Sequence, residues 1–321
     1  MPEGHTIHRL ANTMSSLFAG QVLEVTSPQG RFDAGARLLT GRQLTDAEAW
    51  GKRLFLSFSG DEPLYLHTHL GLYGSWTFAG DGELTVAHAI GAPRLRMSER
   101  ENALPGGAEF PPPPRGQVRV RLMSEHAVAD VTGPTVCEVI DAEERARVIA
   151  KLGPDPIRGD AVSARFVGAL KKRRMPVGAA LMDQSIIAGV GNIYRAEVLF
   201  RAGLDPLIPS AEVSESVARR LWDDLVLLMR QGAATGRIVT TVPSDRGDGE
   251  SAPRGPRQNT DLDADAVPSS EAFYVYHRDG RPCRLCGTPI GLRELSGRKL
   301  YWCPTCQRGK GTRPRVTGSP L

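Results

Sequence analysis

Two groups of residues near opposite ends of the chain have types and spacings that can do chemistry: Met1-Pro2-Glu3-Gly4-His5, and Cys283-x2-Cys286-x16-Cys303-x2-Cys306. The first sets an amine nucleophile beside a carboxylate. The second brings four thiolates to one point around a turn that carries Arg298 and Lys299. Taken together they point to chemistry on nucleic acid.

Paired Cys-x2-Cys knuckles at this separation suit one tetrahedral Zn²⁺ per chain with no open coordination position, a structural metal held by Cys283, Cys286, Cys303 and Cys306. Two disulfides are the alternative. It is the weaker one, because nothing at the N-terminus looks like a secretory signal and the fifth cysteine, Cys137, has no partner. Cys137 sits among Val136, Val139 and Ile140, which favours a small packing residue over a nucleophile.

Met-Pro is a start from which the initiator methionine is normally removed, leaving Pro2 as a secondary amine. An α-amino group with pKa near ~8 is about a quarter unprotonated at pH ~7.5, whereas an ordinary lysine is about a thousandth so. That ratio favours Pro2 as a Schiff-base nucleophile, and Glu3 beside it can transfer the protons that imine chemistry at a sugar carbon requires. The plainer reading is that Pro2 and Glu3 only open a helix, where proline and acidic residues are favoured.

Gln184 to Arg195 reads as helix, tight Gly189-Val190-Gly191 turn, helix. Glycines let a backbone approach a phosphate, and the amides opening the next helix, with the Asn192 side chain, supply donors. A plain αα-corner fits the same pattern. Gly297-Arg298-Lys299 belongs at the tip of the cysteine hairpin, where Arg298 can fork onto phosphate oxygens or simply be a solvated turn.

The elements that must position these residues divide the chain. The first 140 residues read mainly as strands, including Leu54–Phe58, Leu64–His67 and Val118–Leu122, behind a helix from about Thr6 to Phe18 that buries Ile7, Leu10 and Leu17. Residues 101–116, with Pro111 to Pro114, are expected to form an exposed loop. From Asp141 the period becomes helical, over 141–151, 161–172, 179–188, 192–202 and 210–231. Residues 244–270 lack aromatics and are rich in Gly, Pro, Asp and Ser, so a mobile loop is expected there.

The expected fold class is α+β and multidomain. The boundaries are a β-rich unit with its leading helix over 1–136, a helical unit over 137–243, the loop over 244–270, the cysteine hairpin over 271–307 and a basic tail over 308–321. No apolar stretch is long enough to span a membrane. The net charge of +4 is only mildly basic, but Lys171 to Arg174 form one cluster and Arg308, Lys310, Arg313 and Arg315 another. Either cluster can equally be a solvated helix end or a loose terminus.

In order and spacing, Pro2-Glu3-Gly4, Gly51-Lys52, Gly189-Val190-Gly191-Asn192-Ile193-Tyr194 and the four cysteines resemble the formamidopyrimidine-DNA glycosylase and endonuclease VIII family across nearly the whole chain. The resemblance implies an N-terminal β-sandwich, a helix-two-turn-helix domain and a C-terminal zinc finger. It implies a bifunctional DNA glycosylase and abasic-site lyase of base-excision repair, with Pro2 attacking C1′, Glu3 moving protons, and β- then δ-elimination cutting the strand. Lys52 matches the family's lysine near the lesion phosphate, and Asn192 and Arg298 match its phosphate clamp; Arg298 thereby joins the catalytic set. Leu72 and Tyr73 match wedge positions that fill the space of an extruded base. By their own pattern, these two residues fit equally well as strand residues packed in the core.

The chain departs from the family's pattern where the endonuclease VIII branch often has Pro-Glu after Pro-Glu-Gly and this sequence has His5-Thr6. The 244–270 segment also lies where family members carry a lesion-sensing loop. Leu72-Tyr73 and Tyr301-Trp302 resemble the endonuclease VIII side, and so imply oxidised pyrimidines as targets. The implied partner is double-stranded DNA with oxidised bases or abasic sites, met by a monomer in the cytoplasm, on the nucleoid if the source is bacterial. A non-catalytic zinc-finger protein that binds damaged or bent DNA would use the same clamp, and a zinc-ribbon RNA-binding protein lacks the base-stacking aromatics it needs.

Overall fold

The computed structural model describes residues 2–81, 89–91, 110–246, 267–311 and 314–320, which form two compact units, Met1–Lys151 and Leu152–Leu321. The first unit opens with helix α1 (Gly4–Phe18), strand β1 (Val22–Thr26) and helix α2 (Asp33–Leu39). There follow β2 (Arg42–Trp50), β3 (Arg53–Phe58), β4 (Leu64–His69), β5 (Ser75–Gly80), β6 (Ala89–Gly91), β7 (Val118–Met123), β8 (Ala127–Thr132), β9 (Val136–Ile140) and helix α3 (Ala142–Ala150).

Antiparallel pairing runs in the order β6-β5-β8-β7-β1-β2-β3-β4-β9. Strand β1 joins the two halves: Val22 and Leu23 pair with β2, while Glu24, Val25 and Thr26 pair with β7. A strand that hands the ladder from one sheet to another is how a sandwich turns its corner. Both halves bury one shared core, in which Leu56, Phe58 and Leu66 join Trp76, Val120 and Val131, closed by Ile7, Leu10, Met14 and Phe18 of α1. Cys137 of β9 packs at its margin, and burial pushes its thiol up to about 12, so it is an inert packing residue.

Strand β3 is buried on both faces. Its outward Phe55 stacks on His67 with ring centroids 4.8 Å apart, and the Arg145 guanidinium of α3 lies over Phe55 and Tyr65 at 5.4 and 5.1 Å. The proline run expected to be looped out is described only from Phe110 on, where Pro111, Pro113 and Pro114 are exposed; residues 101–109 lie outside the described residues.

The second unit contains α4 (Ser163–Lys171), α5 (Val177–Ala180), α6 (Asn192–Arg201), α7 (Glu215–Thr235), and the antiparallel pair β10 (Gly291–Leu295) and β11 (Arg298–Trp302). Two helices expected from periodicity differ. The 179–188 stretch is helical only at its start. Asp183 then accepts bonds from the Ser185 amide (2.9 Å) and hydroxyl (2.7 Å), and Gln184 ties Gly189 N (3.0 Å) to Val190 O (3.0 Å). Side chains that satisfy the backbone locally compete with the helix ladder and win here. The helix expected over 210–231 is a short 3₁₀ turn at Ser210–Glu212 followed by α7, because Ser214 accepts from Val217 N (3.3 Å) and resets the start. Gly236, with φ +72°, ends α7.

Helix α6 is buried on every side, so its polar residues must be paired inside. Arg201 forks onto Asp224 at 2.7 and 2.8 Å and also donates to Thr240 O (2.6 Å) and Gly318 O (2.9 Å). The last of these bonds belongs to a C-terminal strap. Arg315 N and Val316 N donate to Arg201 O, Val316 is buried beside the cysteines, and Lys310 pairs with Glu212 at 3.2 Å. The tail is therefore not a loose terminus over its described residues; Arg313 lies outside them. Among the described residues no helix is long and apolar enough to cross a membrane.

Candidate functional site

In the first unit the chain's opening residues are tucked inside. Pro2, Glu3, Gly4 and His5 are all buried, Glu3 completely. Glu3 is the N-cap of α1, with φ −112° and ψ 178°, and Thr6 N donates to its carbonyl at 3.0 Å. Its side chain does not cap the helix. The role of a plain helix opener thus falls to the Glu3 backbone and not to its carboxylate. Beside it His5 lies buried, and burial first, then the positive N-terminus, His8 and Arg9, hold its pKa down to about 3. The imidazole next to Glu3 is neutral at physiological pH.

Lys52 is half-buried in the two-residue turn between β2 and β3, where Trp50 pairs with Arg53 and Gly51 takes φ +59°. A tight hairpin with this backbone needs glycine at its first loop position, which explains the Gly-Lys order. Leu72 and Tyr73 are not packed strand residues. They project from the turn between β4 and β5, 39% and 77% exposed, because Gly74 N closes the turn on Leu70 O (2.9 Å) and Gly71 (φ +65°) accepts no side chain. A Cβ at Gly71 would lie 2.3 Å from Thr135. His69 braces the same turn, bonded to Thr135 Oγ1 (2.9 Å) and accepting from Gly71 N (3.1 Å).

In the second unit, Gly189 has φ +89° and Gly191 is the extended N-cap of α6, so the Gly-x-Gly turn does deliver Asn192 to a helix start. The Asn192 side chain, however, is occupied. Its Nδ2 donates to Lys299 O at 3.0 Å, and its Oδ1 accepts from the Arg195 guanidinium, which also donates to Lys299 O at 2.8 Å. The hairpin turn itself is Ser296-Gly297, with φ +52° and +71°, between paired Leu295 and Arg298. Arg298 stands exposed at the first position after it. Sequence reading gave Arg195 no role; its only signal was a charged residue one turn into the helix that Asn192 opens.

Glu197 was also missed. This fully buried carboxylate accepts from Tyr274 N (2.8 Å), Val275 N (2.9 Å), Tyr276 N (2.8 Å) and the Thr240 hydroxyl, tying α6 to the segment that leads into the cysteine hairpin. The four cysteine sulfurs all lie within 4.8 Å of one another. Cys283–Cys306 and Cys286–Cys303 are 3.9 and 3.5 Å apart, too far for disulfides. The donor set is that of a closed, four-sulfur metal site.

Residues 1–131 match the formamidopyrimidine-DNA glycosylase N-terminal domain, and residues 152–244 match the formamidopyrimidine-DNA glycosylase H2TH domain. Endonuclease 8 1 of Mycobacterium tuberculosis is 42% identical over 311 residues, which is 96% of this chain and 100% of that protein. The chain belongs to the formamidopyrimidine-DNA glycosylase and endonuclease VIII family. Probable endonuclease 8 2 of Streptomyces coelicolor is 31% identical over 98% of this chain and 96% of its own length. A solved complex between Lactococcus lactis Fpg and DNA containing an abasic site shares the fold, with a TM-score of 0.68 at 19% identity over 96% of this chain and 100% of that one. The family's architecture accounts for the sheet unit, the helical unit and the cysteine hairpin seen here.

Proposed function

We propose that the protein is a bifunctional DNA glycosylase and abasic-site lyase of base-excision repair, acting on duplex DNA with oxidised pyrimidines or abasic sites. The observation that carries this reading is the buried Pro2-Glu3 start, with a carboxylate that does not cap its helix, in a chain that aligns over 96% of its length with an endonuclease 8 protein. With Met1 removed, the Pro2 nitrogen attacks C1′ of the lesion nucleotide. The glycosidic bond breaks and its electron pair leaves with the base, giving a closed-ring aminal on Pro2. Proton transfer to O4′ served by Glu3 then breaks the C1′–O4′ bond, which opens the sugar and leaves an iminium on Pro2; loss of a C2′ proton sets up elimination of the 3′ phosphate, and a second elimination releases the 5′ phosphate. Lys52 would neutralise the lesion phosphate, and Arg298, with Asn192 fixing the hairpin beside it, would clamp the backbone.

Leu72 and Tyr73, exposed on a braced turn, suit a wedge that fills the gap left by the extruded base. Zn²⁺ held by Cys283, Cys286, Cys303 and Cys306 would supply folding energy to the hairpin and no step of the reaction. Work on chromosomal DNA would place the protein in the cytoplasm. The first test is borohydride trapping of the methionine-processed protein on duplexes carrying an oxidised pyrimidine or an abasic site, with peptide mass mapping. An adduct on Pro2 with both is expected; an adduct with neither would leave a DNA-binding protein without catalysis.

A further inference from the structure

His277 is one of two non-glycine residues among the described residues with positive φ, and the other, Ser296, is explained by its hairpin turn. Its φ of +53° lies in the left-handed region, where a side chain is strained and glycine is not. Strain of this kind persists where the surroundings hold it, and it concentrates at functional positions. The surroundings here are aromatic: the imidazole stacks on Tyr301, with centroids 5.3 Å apart and planes 28° apart, and meets Tyr276 at 4.4 Å. Tyr276 is itself anchored, since its amide donates to buried Glu197 and its ring meets Tyr301 edge-on at 5.3 Å. The ring is thus braced from two sides. Yet the residue is exposed, and neither ring nitrogen has a hydrogen-bond partner among the described residues.

A braced, exposed imidazole with open nitrogens presents a donor to an incoming group. Its electrostatic neighbours within the second unit are Asp279 and Lys299, the latter with its main chain clamped by Asn192 and Arg195. Partial desolvation of the ring against Tyr276 and Tyr301 keeps the imidazole below its ordinary pKa, so at neutral pH one nitrogen carries a proton and can donate.

We propose that His277 is a DNA-contacting residue, donating from its ring to a backbone phosphate next to those held by the Arg298-Lys299 hairpin. This rests on the proposed function, and makes the strained backbone at 277 the means of aiming the ring. A packing role predicts the opposite economy: there the histidine would be kept for stability. The test separates the two, because glycine relieves the strain while removing the contact.

Equilibrium binding of a duplex carrying a non-cleavable abasic-site analogue, together with thermal melting, is to be measured for wild type, His277→Gly and His277→Asn. Asparagine tolerates the left-handed backbone and offers a shorter donor. The expected result is a His277→Gly protein that melts at or above the wild-type temperature yet binds the duplex several-fold more weakly, with His277→Asn between the two in affinity. Wild-type affinity in His277→Gly, or a loss of affinity that accompanies a lower melting temperature, would overturn the proposal. Failure of the wild type itself to bind the duplex would instead sink the proposed function.

Discussion

The Asn192 side-chain amide donates to the main-chain carbonyl of Lys299 at 3.0 Å, and so joins the first turn of a helix to a hairpin strand more than a hundred residues away in sequence. Arg195 donates to the same oxygen. Two donors on one carbonyl fix the strand that starts at Arg298, which is how a buried pair governs an exposed cation. Arg195→Ala should leave that geometry loose and strand polar atoms inside, destabilising the protein by about 1–3 kcal/mol. Duplex affinity should fall with it. If affinity and melting temperature both stay at wild-type values, the clamp is not a clamp.

Arg298→Ala tests the cation itself. Removing one phosphate contact should weaken binding across sequences and reduce the slope of log affinity against log salt by roughly one. Stability should hardly change, since Arg298 is exposed. An unaltered salt slope would take Arg298 out of the interface.

Glu197 holds three consecutive backbone amides and the Thr240 hydroxyl. Glu197→Ala leaves the three amides unsatisfied in the interior, while the Thr240 hydroxyl keeps Ala272 O (3.1 Å) as an acceptor, a loss on the order of 3 kcal/mol or more. Urea denaturation should show a large shift of midpoint; a shift too small to resolve would mean that water replaces the carboxylate without cost.

His5 links stability to pH. Its folded pKa of about 3 lies below the unfolded value of 6.5, so between these the unfolded chain binds the extra proton. Stability from this group is complete above pH ~6.5 and falls as pH drops toward ~3, by about 1 kcal/mol per pH unit. Burial also holds His69 down, to about 4, which acts in the same direction. His5→Gln should flatten the stability profile between pH ~4 and ~6. A variant whose profile tracks the wild type would show that His5 titrates normally.

Removing the metal should release the hairpin. Chelation, or Cys303→Ala at a fully buried ligand, is expected to lower the melting temperature and abolish duplex binding, with zinc recovered at about one ion per chain from the native protein. A metal-free preparation that binds DNA normally would overturn the structural-metal assignment.

Separately, truncation before Pro314 should destabilise the second unit, because it strips Gly318 O from Arg201 and Val316 from the core beside the cysteines. A loss of about 1–3 kcal/mol by denaturant titration is expected. No change in midpoint would reduce the strap to a surface ornament of the fold.

Features written in local spacing were legible from the residues alone. Cys283, Cys286, Cys303 and Cys306 announce a metal site because ligand geometry demands that spacing. The strand runs and the α7 stripe show because periods of two and about 3.6 are sequence properties. Pro2, Glu3, Lys52, Asn192 and Arg298 stand out through the company they keep in order along the chain. What failed was the helix over 179–188, where Asp183 and Gln184 bond the backbone locally and overrule an apolar pattern. Leu72 and Tyr73 could be read as a wedge or as packed strand residues; their exposure on a turn, next to a Gly71 whose Cβ would meet Thr135, is a long-range packing fact that removes the packed-strand reading.

By itself, the order of residues determined the classes of chemistry available: a secondary amine beside a carboxylate, four converging thiolates, a basic hairpin turn. Only tertiary structure decided which polar groups are occupied. Whether Asn192 faces a ligand or the Lys299 carbonyl, and whether Arg195, Glu197 and Arg201 are surface charges or buried struts, depends on what distant segments bring to them. A side chain's partners across a hundred residues leave no periodic trace along the chain, because burial and hydrogen bonding are settled only when the elements pack.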